Sequence, residues 1–204
     1  MKMINFSKFV TEARKVDKSV FTFGRHQPPT IGHQKVFDKV ESEAKSQGAQ
    51  AHIITSHSHD GEKNPLPSHL KKKLIRSMVS PSTKVSSSDS DSPTLLHHLV
   101  KMHKAGIKHV TMVAGSDRVN EFNTLINKYN GKTGPHGHYH FDSIKVVSAG
   151  HRDPDAEGAE GMSGTKAREL AKAGKTEELK KGMPESIHPH IPEIVRHIKN
   201  GSGS

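Results

Sequence analysis

The chain has 204 residues, no cysteine and no tryptophan, and its 31 Lys and Arg against 21 Asp and Glu give a formal charge of +10. These counts exclude disulfides, thiolate metal sites and a cysteine nucleophile, and the length suits one α/β-sized domain with short appendages. A basic balance suits polyanions such as nucleotide phosphates, but the few aromatics do not interleave with Lys or Arg and no helix-turn-helix or zinc-finger spacing occurs, so nucleic acid is not the expected partner.

Taken in chain order, residues 3–14 (MINFSKFVTEAR) carry a small apolar stripe of Phe6, Phe9 and Val10, suited to a short docking helix. The start of the chain has no apolar core of the kind a secretory signal needs, and no apolar run reaches the ~18 residues that span a bilayer, so no membrane partner is expected. Residues 19–24 (SVFTFG) read as a buried strand and 31–47 as a helix with Val36, Phe37 and Val40 on one face. A second strand is expected at 51–56, a helix at 67–79, a weak strand at 84–88, and a helix at 93–105 with Leu95, Leu96, Leu99 and Met102 inward, closed by Gly106. A strand at 109–115 leads into a helix through Asn127, and a further strand lies at 142–150. Short helices fill 163–172, 176–182 and 189–199. Segments 130–140 and 151–161 read as loops, and the terminal Gly-Ser repeat as a flexible linker remnant. The expected organisation is a leader or docking helix at 1–16, one domain at 17–199 and a flexible tail at 200–204.

Strands alternating with helices imply βαβ units: an α/β, Rossmann-like parallel sheet with helices on both faces. Such sheets bind ligands at the carboxyl ends of their strands, which puts the loops after Gly24, Ser56, Gly115 and Gly150 on one edge.

The most informative stretch on that edge is Gly24-Arg25-His26-Gln27-Pro28-Pro29-Thr30-Ile31-Gly32-His33, where the first strand turns into the first helix. Gly24 and Gly32 allow close backbone approach to a ligand. The helix start attracts phosphate through its unpaired N–H groups. Thr30 and His33, three residues apart, share a face. In Met162-Ser163-Gly164-Thr165-Lys166-Ala167-Arg168, Ser163 is placed to cap a helix on which Thr165 and Arg168 share a face, a donor set suited to polyphosphate.

The first stretch resembles the signature of the HxGH nucleotidylyltransferase superfamily, and more closely the G-R-F-Q-P-x-H-x-G-H form of archaeal-type nicotinamide-mononucleotide (NMN) adenylyltransferases. His26 stands where that form has Phe, and Thr30 where it has the first His, as in phosphopantetheine adenylyltransferases. The second stretch resembles the superfamily's I-S-S-T-x-x-R motif in the group's S-G-T-x-x-R variant. Asn64-Pro65-Leu66, with Lys63 beside it, resembles the N-P-[FL] loop. Gly115-Ser116-Asp117 resembles the G-x-D segment, and residues 174–187 resemble the family's tail.

The resemblance implies transfer of AMP from ATP to a phosphate-bearing acceptor with release of pyrophosphate, most simply to NMN to give NAD. His33 and Thr30 would serve the α-phosphate. Arg25, Thr165 and Arg168 would hold the β- and γ-phosphates. Gly24, Gly32, Gly115, Asp117, Met162 and Ser163 would form the nucleotide site, and Lys63 and Asn64 would meet the acceptor. Mg²⁺ would bridge substrate phosphates, with no dedicated metal site on the protein. CTP in place of ATP, phosphopantetheine as acceptor, and a non-catalytic virion-associated protein of this fold are the alternatives. The last draws on residues 3–14, which resemble capsid-targeting leaders of large tailed phages, with Val10-Thr11-Glu12 at the cleavage position. The expected location is therefore the cytoplasm of a bacterium or infected host, with virion packaging as the variant. A homo-oligomer stays open.

The 17 histidines raise a metal alternative, because His136, His138 and His140, like His57 and His59, alternate as strand ligands do. The surrounding Gly and Pro favour solvated loop histidines instead, and His188 and His190 read as a turn around Pro189.

Overall fold

Alternation in the strands sets the architecture of the computed structural model, which describes residues 16–150 and 161–201. In β1 (Lys18–Gly24), Val20 and Phe21 are both fully buried, one on each side of the sheet. The same alternation places Ile53 and Ile54 of β2 (Gln50–Thr55), and Val113 and Met112 of β4 (His109–Ala114), in separate cores. A strand apolar on both faces needs cover on both faces, which a parallel sheet provides through its crossover helices.

With β3 (Lys84–Ser87) and β7 (Ser143–Ser148), the strands form one five-stranded sheet, β3-β2-β1-β4-β7, parallel throughout. The expected α/β, Rossmann-like fold is the observed one. On one face, α1 (Ile31–Gln47), α2 (Ser68–Met78), α5 (Gly164–Lys172), α6 (Thr176–Lys181) and α7 (Ile191–Asn200) enclose the larger core. On the other, α3 (Leu95–Lys104) and α4 (Val119–Tyr129) cover Phe21, Ile54 and Met112. From β1 the chain winds outward to β2 and β3, then returns to place β4 and β7 on the far side. The switch point therefore lies between β1 and β4, where a crevice opens above the carboxyl ends of the strands.

Helix α1 has the bounds that the sequence predicts, since Thr30 starts it and Gly48 closes it in the left-handed region at φ 61°. The other large elements shift by one or two residues at their ends. Two local readings need correction. Segment 130–140 is not only loop: β5 (Thr133–Gly134) and β6 (Gly137–His138) form a small antiparallel hairpin. This hairpin carries His136 inward, where its ring sits 5.1 Å from that of Tyr129 and 5.9 Å from that of Tyr139. His136 is thus buried and not solvated, while His138 and His140 are exposed. His188 and His190 fall in a 3₁₀ helix (Glu185–His190), not a turn. Among the described residues, no group of three or more His, Cys, Asp or Glu is placed to hold a metal ion, and no helix is long and apolar enough to cross a membrane. Residues 1–15 of the expected leader at 1–16, 151–160 of the expected loop at 151–161 and 202–204 of the expected tail at 200–204 lie outside the described residues.

Two histidines in the sheet region give a pH prediction. His52 of β2 bonds Ser86 at 2.7 Å and His98 of α3 bonds Ser88 at 3.0 Å. Burial is the first cause that lowers both, His52 to about 3 and His98 to about 4. Their folded values lie below the unfolded one, so the unfolded chain binds more protons on acidification. Their contribution is complete above about pH 6.5 and is lost as pH falls towards 4, at up to ~1.4 kcal/mol per pH unit for each. Denaturant unfolding at pH 7, 6 and 5 should show a steady fall that shrinks when both are replaced by Gln. A flat profile would contradict it.

Candidate nucleotide site

The crevice at the switch point is a cleft of about 330 Å³. Thr22 to Gly24 of β1 and Met112 to Ala114 of β4 line its floor, with Gly115, Asp117, Arg118 and Phe122 on the α4 side. The α1 side presents Thr30, Gly32, His33, Lys35 and Val36.

Thr30 and His33 are joined. The Thr30 backbone N–H donates to His33 Nδ1 at 3.1 Å, and the Thr30 hydroxyl lies 3.0 Å from the same nitrogen, in a reciprocal capping box. A backbone N–H can only donate, so Nδ1 accepts and the proton of the neutral ring resides on Nε2. The cap thereby fixes both ring orientation and tautomer, and makes His33 a hydrogen-bond donor at the first turn of α1.

His26 behaves as an aromatic ring rather than an ionisable group. It is buried, and its ring meets those of His33 and Phe37 edge-on at 5.1 and 5.2 Å. Burial, then electrostatic interaction with His33 and Lys71, holds it well below the ordinary histidine value. Neutral His26 thus fills the place that Phe holds in the resembling signature. Its backbone lies in the left-handed region at φ 50°, uncommon outside glycine. Its ring folds back over Gly24, where a Cβ would stand 2.8 Å from Nε2, so a side chain at 24 would push the His26 ring out of this packing.

Gln27, which the sequence reading passed over, ties its own turn to the β2–α2 loop and to helix α5. Its side-chain amide donates to Leu66 O at 2.9 Å and Ser58 O at 3.2 Å, and its Oε1 accepts from Leu66 N–H at 2.9 Å. Its backbone carbonyl accepts from Arg168 Nη1 at 2.7 Å. A Cβ on Gly164 would lie 3.0 Å from that carbonyl, so the glycine of the second motif permits the approach. Residues 141 apart in sequence are thereby set side by side.

The second motif folds as its residue types predict. Ser163 accepts from Lys166 N–H at 3.0 Å and caps α5, and Arg168 Nη2 donates to Thr165 Oγ1 at 3.1 Å. Burial, then the neighbouring Arg25, lowers Arg168 from the ordinary arginine value. Arg25, Ser163, Thr165 and Arg168 therefore gather beside the β1–α1 turn, next to the cleft rather than on its floor. Met162 stands apart: its side chain is buried in the larger core against Gly182, and it does not line the cleft.

Gly24, Gly32, Thr30, His33, Gly115 and Asp117 line the cleft, with the Asp117 carboxylate folded over Gly115. Lys63 and Asn64 do not. Lys63 is exposed, and Asn64 is buried with its Nδ2 donating to Asp60. Arg118 and Phe122, stacked at 4.9 Å, were not singled out from the sequence, although the i,i+4 spacing after Gly115-Ser116-Asp117 carries that signal. Lys71 of α2 was missed too. It is fully buried, its Nζ donating to Ser56 O. The helical period Leu70, Leu74, Ile75, Met78 places it on the inward face.

The fold defines a doubly wound α/β protein with a cleft at the carboxyl edge of its strands, at the switch point. No protein-family model matches the sequence, and no curated protein matches it. Among solved structures, the chain is similar to apo TmcAL of Thermotoga maritima, with a TM-score of 0.53 and 10% identity over 86% of this chain and 57% of that one. A second structure of T. maritima TmcAL, bound with alpha-thio ATP, matches with a TM-score of 0.48 and 12% identity over 86% of this chain and 56% of that one. The chain thus spans a little over half the length of these structures, and the likeness is one of fold.

Proposed function

We propose that this chain is a nucleotidylyltransferase that moves AMP from ATP to a phosphate-bearing acceptor, with NMN as the acceptor and NAD as the product. The observation that carries the reading is the Thr30–His33 pair at the first turn of α1, lining the switch-point cleft while Gln27 binds the same turn to Arg168. An acceptor phosphate oxygen attacks the α-phosphorus in line, the bond to the bridging α–β oxygen breaks, and pyrophosphate leaves. His33 donates through Nε2–H to the α-phosphate as charge spreads over it, with the Thr30 hydroxyl and the α1 N-terminus alongside. Arg25, Thr165 and Arg168 hold the β- and γ-phosphates and the departing pyrophosphate. Asp117 and the Gly115 backbone receive the nucleoside. Mg²⁺ would come as part of the triphosphate substrate and would supply neutralisation of its phosphate charge, with Arg25, Thr165 and Arg168 holding the phosphates themselves. The phosphates neither require a base nor form a covalent enzyme intermediate.

Thr30 favours a second acceptor of the same class, phosphopantetheine, since Thr stands there in that group. One assay separates the readings: enzyme, Mg²⁺ and ATP or CTP with NMN, nicotinate mononucleotide or phosphopantetheine, followed by pyrophosphate release. NAD formation is read by its reduction to NADH in a coupled dehydrogenase. NAD from ATP and NMN is the expected result. Pyrophosphate from another acceptor alone transfers the reading to that acceptor, and release with none of them removes catalysis from the proposal.

A further inference from the structure

The wall behind His26 holds a charge without a countercharge. Lys71 has no exposed surface, and one hydrogen bond, to Ser56 O at the end of β2, is what its ammonium makes there. Among the described residues no carboxylate pairs with it. His26 faces it from the β1–α1 turn, with His33 of α1 beyond, and Ser56 faces it from β2. On its own helix the inward neighbours Leu70, Leu74 and Ile75 are apolar, while Lys72 and Lys73 are exposed. Two more polar atoms here are buried without a partner, His26 Nδ1 and Ser56 Oγ.

Such a cluster is expensive for a core. Ammonium groups taken out of water without an anion destabilise the fold, and an apolar side chain of equal length would fill the space without that penalty. Its position suggests what offsets the penalty. His26, which couples to Lys71 electrostatically, itself lines the cleft, and both side chains are buried, so the field of the charge reaches the cleft with less screening than that of a surface lysine.

We propose that Lys71 is a positioning residue, a buried cation behind His26 that draws the anionic nucleotide towards the turn carrying Thr30 and His33. The inference rests on the reading of the cleft as a site for nucleoside triphosphate. Burial lowers Lys71 to about 8, so its charge is lost within an accessible range of pH. An anion bound nearby favours the charged form, and binding must weaken as pH rises above about 8.

The test compares wild type with Lys71→Met, measuring ATP and pyrophosphate binding by calorimetry from pH 7 to 9 and thermal unfolding of the unliganded proteins at pH 7. Wild-type affinity should fall by up to about tenfold between pH 8 and 9, the limit for one coupled proton. Lys71→Met should bind about tenfold more weakly at pH 7, with that pH dependence gone, since one charge at an effective dielectric of about 20 is worth at least that much. Its melting temperature should nevertheless rise, by roughly 3 °C or more, because an uncompensated charge has left the core. A purely structural lysine gives the opposite: a lower melting temperature and unaltered pH dependence, and either result overturns the inference. Wild type that binds ATP with pH-independent affinity removes the role of Lys71 and leaves the transferase reading standing. Wild type that binds neither ATP nor pyrophosphate removes both.

Discussion

His33→Ala should lower kcat by about 10²-fold or more, the scale of losing one preorganised donor to a developing charge, with little change in ATP affinity. The asymmetry follows from how the ring is held. Its Nδ1 is committed to the Thr30 N–H, so the Nε2 proton is aimed before substrate arrives, and no reorganisation is needed as charge grows at the α-phosphate. Ground-state binding draws mainly on the helix start and the arginines, which the substitution leaves in place. Steady-state pyrophosphate release with ATP and the working acceptor gives kcat and KM together. Turnover within a factor of two of wild type would remove His33 from the chemistry.

Phe37→Ala should be the most damaging single truncation for stability near the site, at about 3–5 kcal/mol. Phe37 has no exposed surface, lies on the inward face of α1, and supports the edge of the His26 ring at 5.2 Å. The truncation removes apolar contact from the larger core and the ledge on which the β1–α1 turn rests. Phe37→Leu keeps most of the volume and should lose less than half as much. Denaturant unfolding of the two variants measures the difference. Equal losses would mean that the ring shape of Phe37 matters and its volume does not.

The sheet and its helices were legible because their apolar positions repeat with clear periods. Val20, Phe21, Ile53 and Ile54 sit in short apolar runs, and Phe37, Val40 and Ala44 mark a helical stripe between Thr30 and the closing Gly48. The β5–β6 hairpin was not legible, since two-residue strands carry no alternation and its Gly and His read as solvated loop. His136 was misplaced for the same reason: its burial depends on Tyr129 and Tyr139, not on its neighbours in sequence. Lys71 was hidden by its charge, which outweighed the helical period that puts it inside. The two motifs were visible one at a time, but their adjacency depends on the Arg168–Gln27 bond, and only the resemblance joined them beforehand. The roles of Gln27 and Gly164 could not be read locally, because each acts on a segment far along the chain.

The Gln27 bonds also bear on how much the neighbouring loop can vary in length. That loop is pinned at Ser58 O and at both backbone groups of Leu66, while His59 to Lys63 between them are largely exposed. Closure entropy grows only slowly with length, so extra residues spliced into that exposed stretch would lengthen the excursion and leave its two anchors where they are. A single residue inserted between Asn64 and Leu66 would instead shift the register against Gln27. The carbonyl that receives Arg168 belongs to the same residue, so the disturbance would pass to α5. Loop grafting on this scaffold therefore has a permissive window and a forbidden edge only a few residues apart.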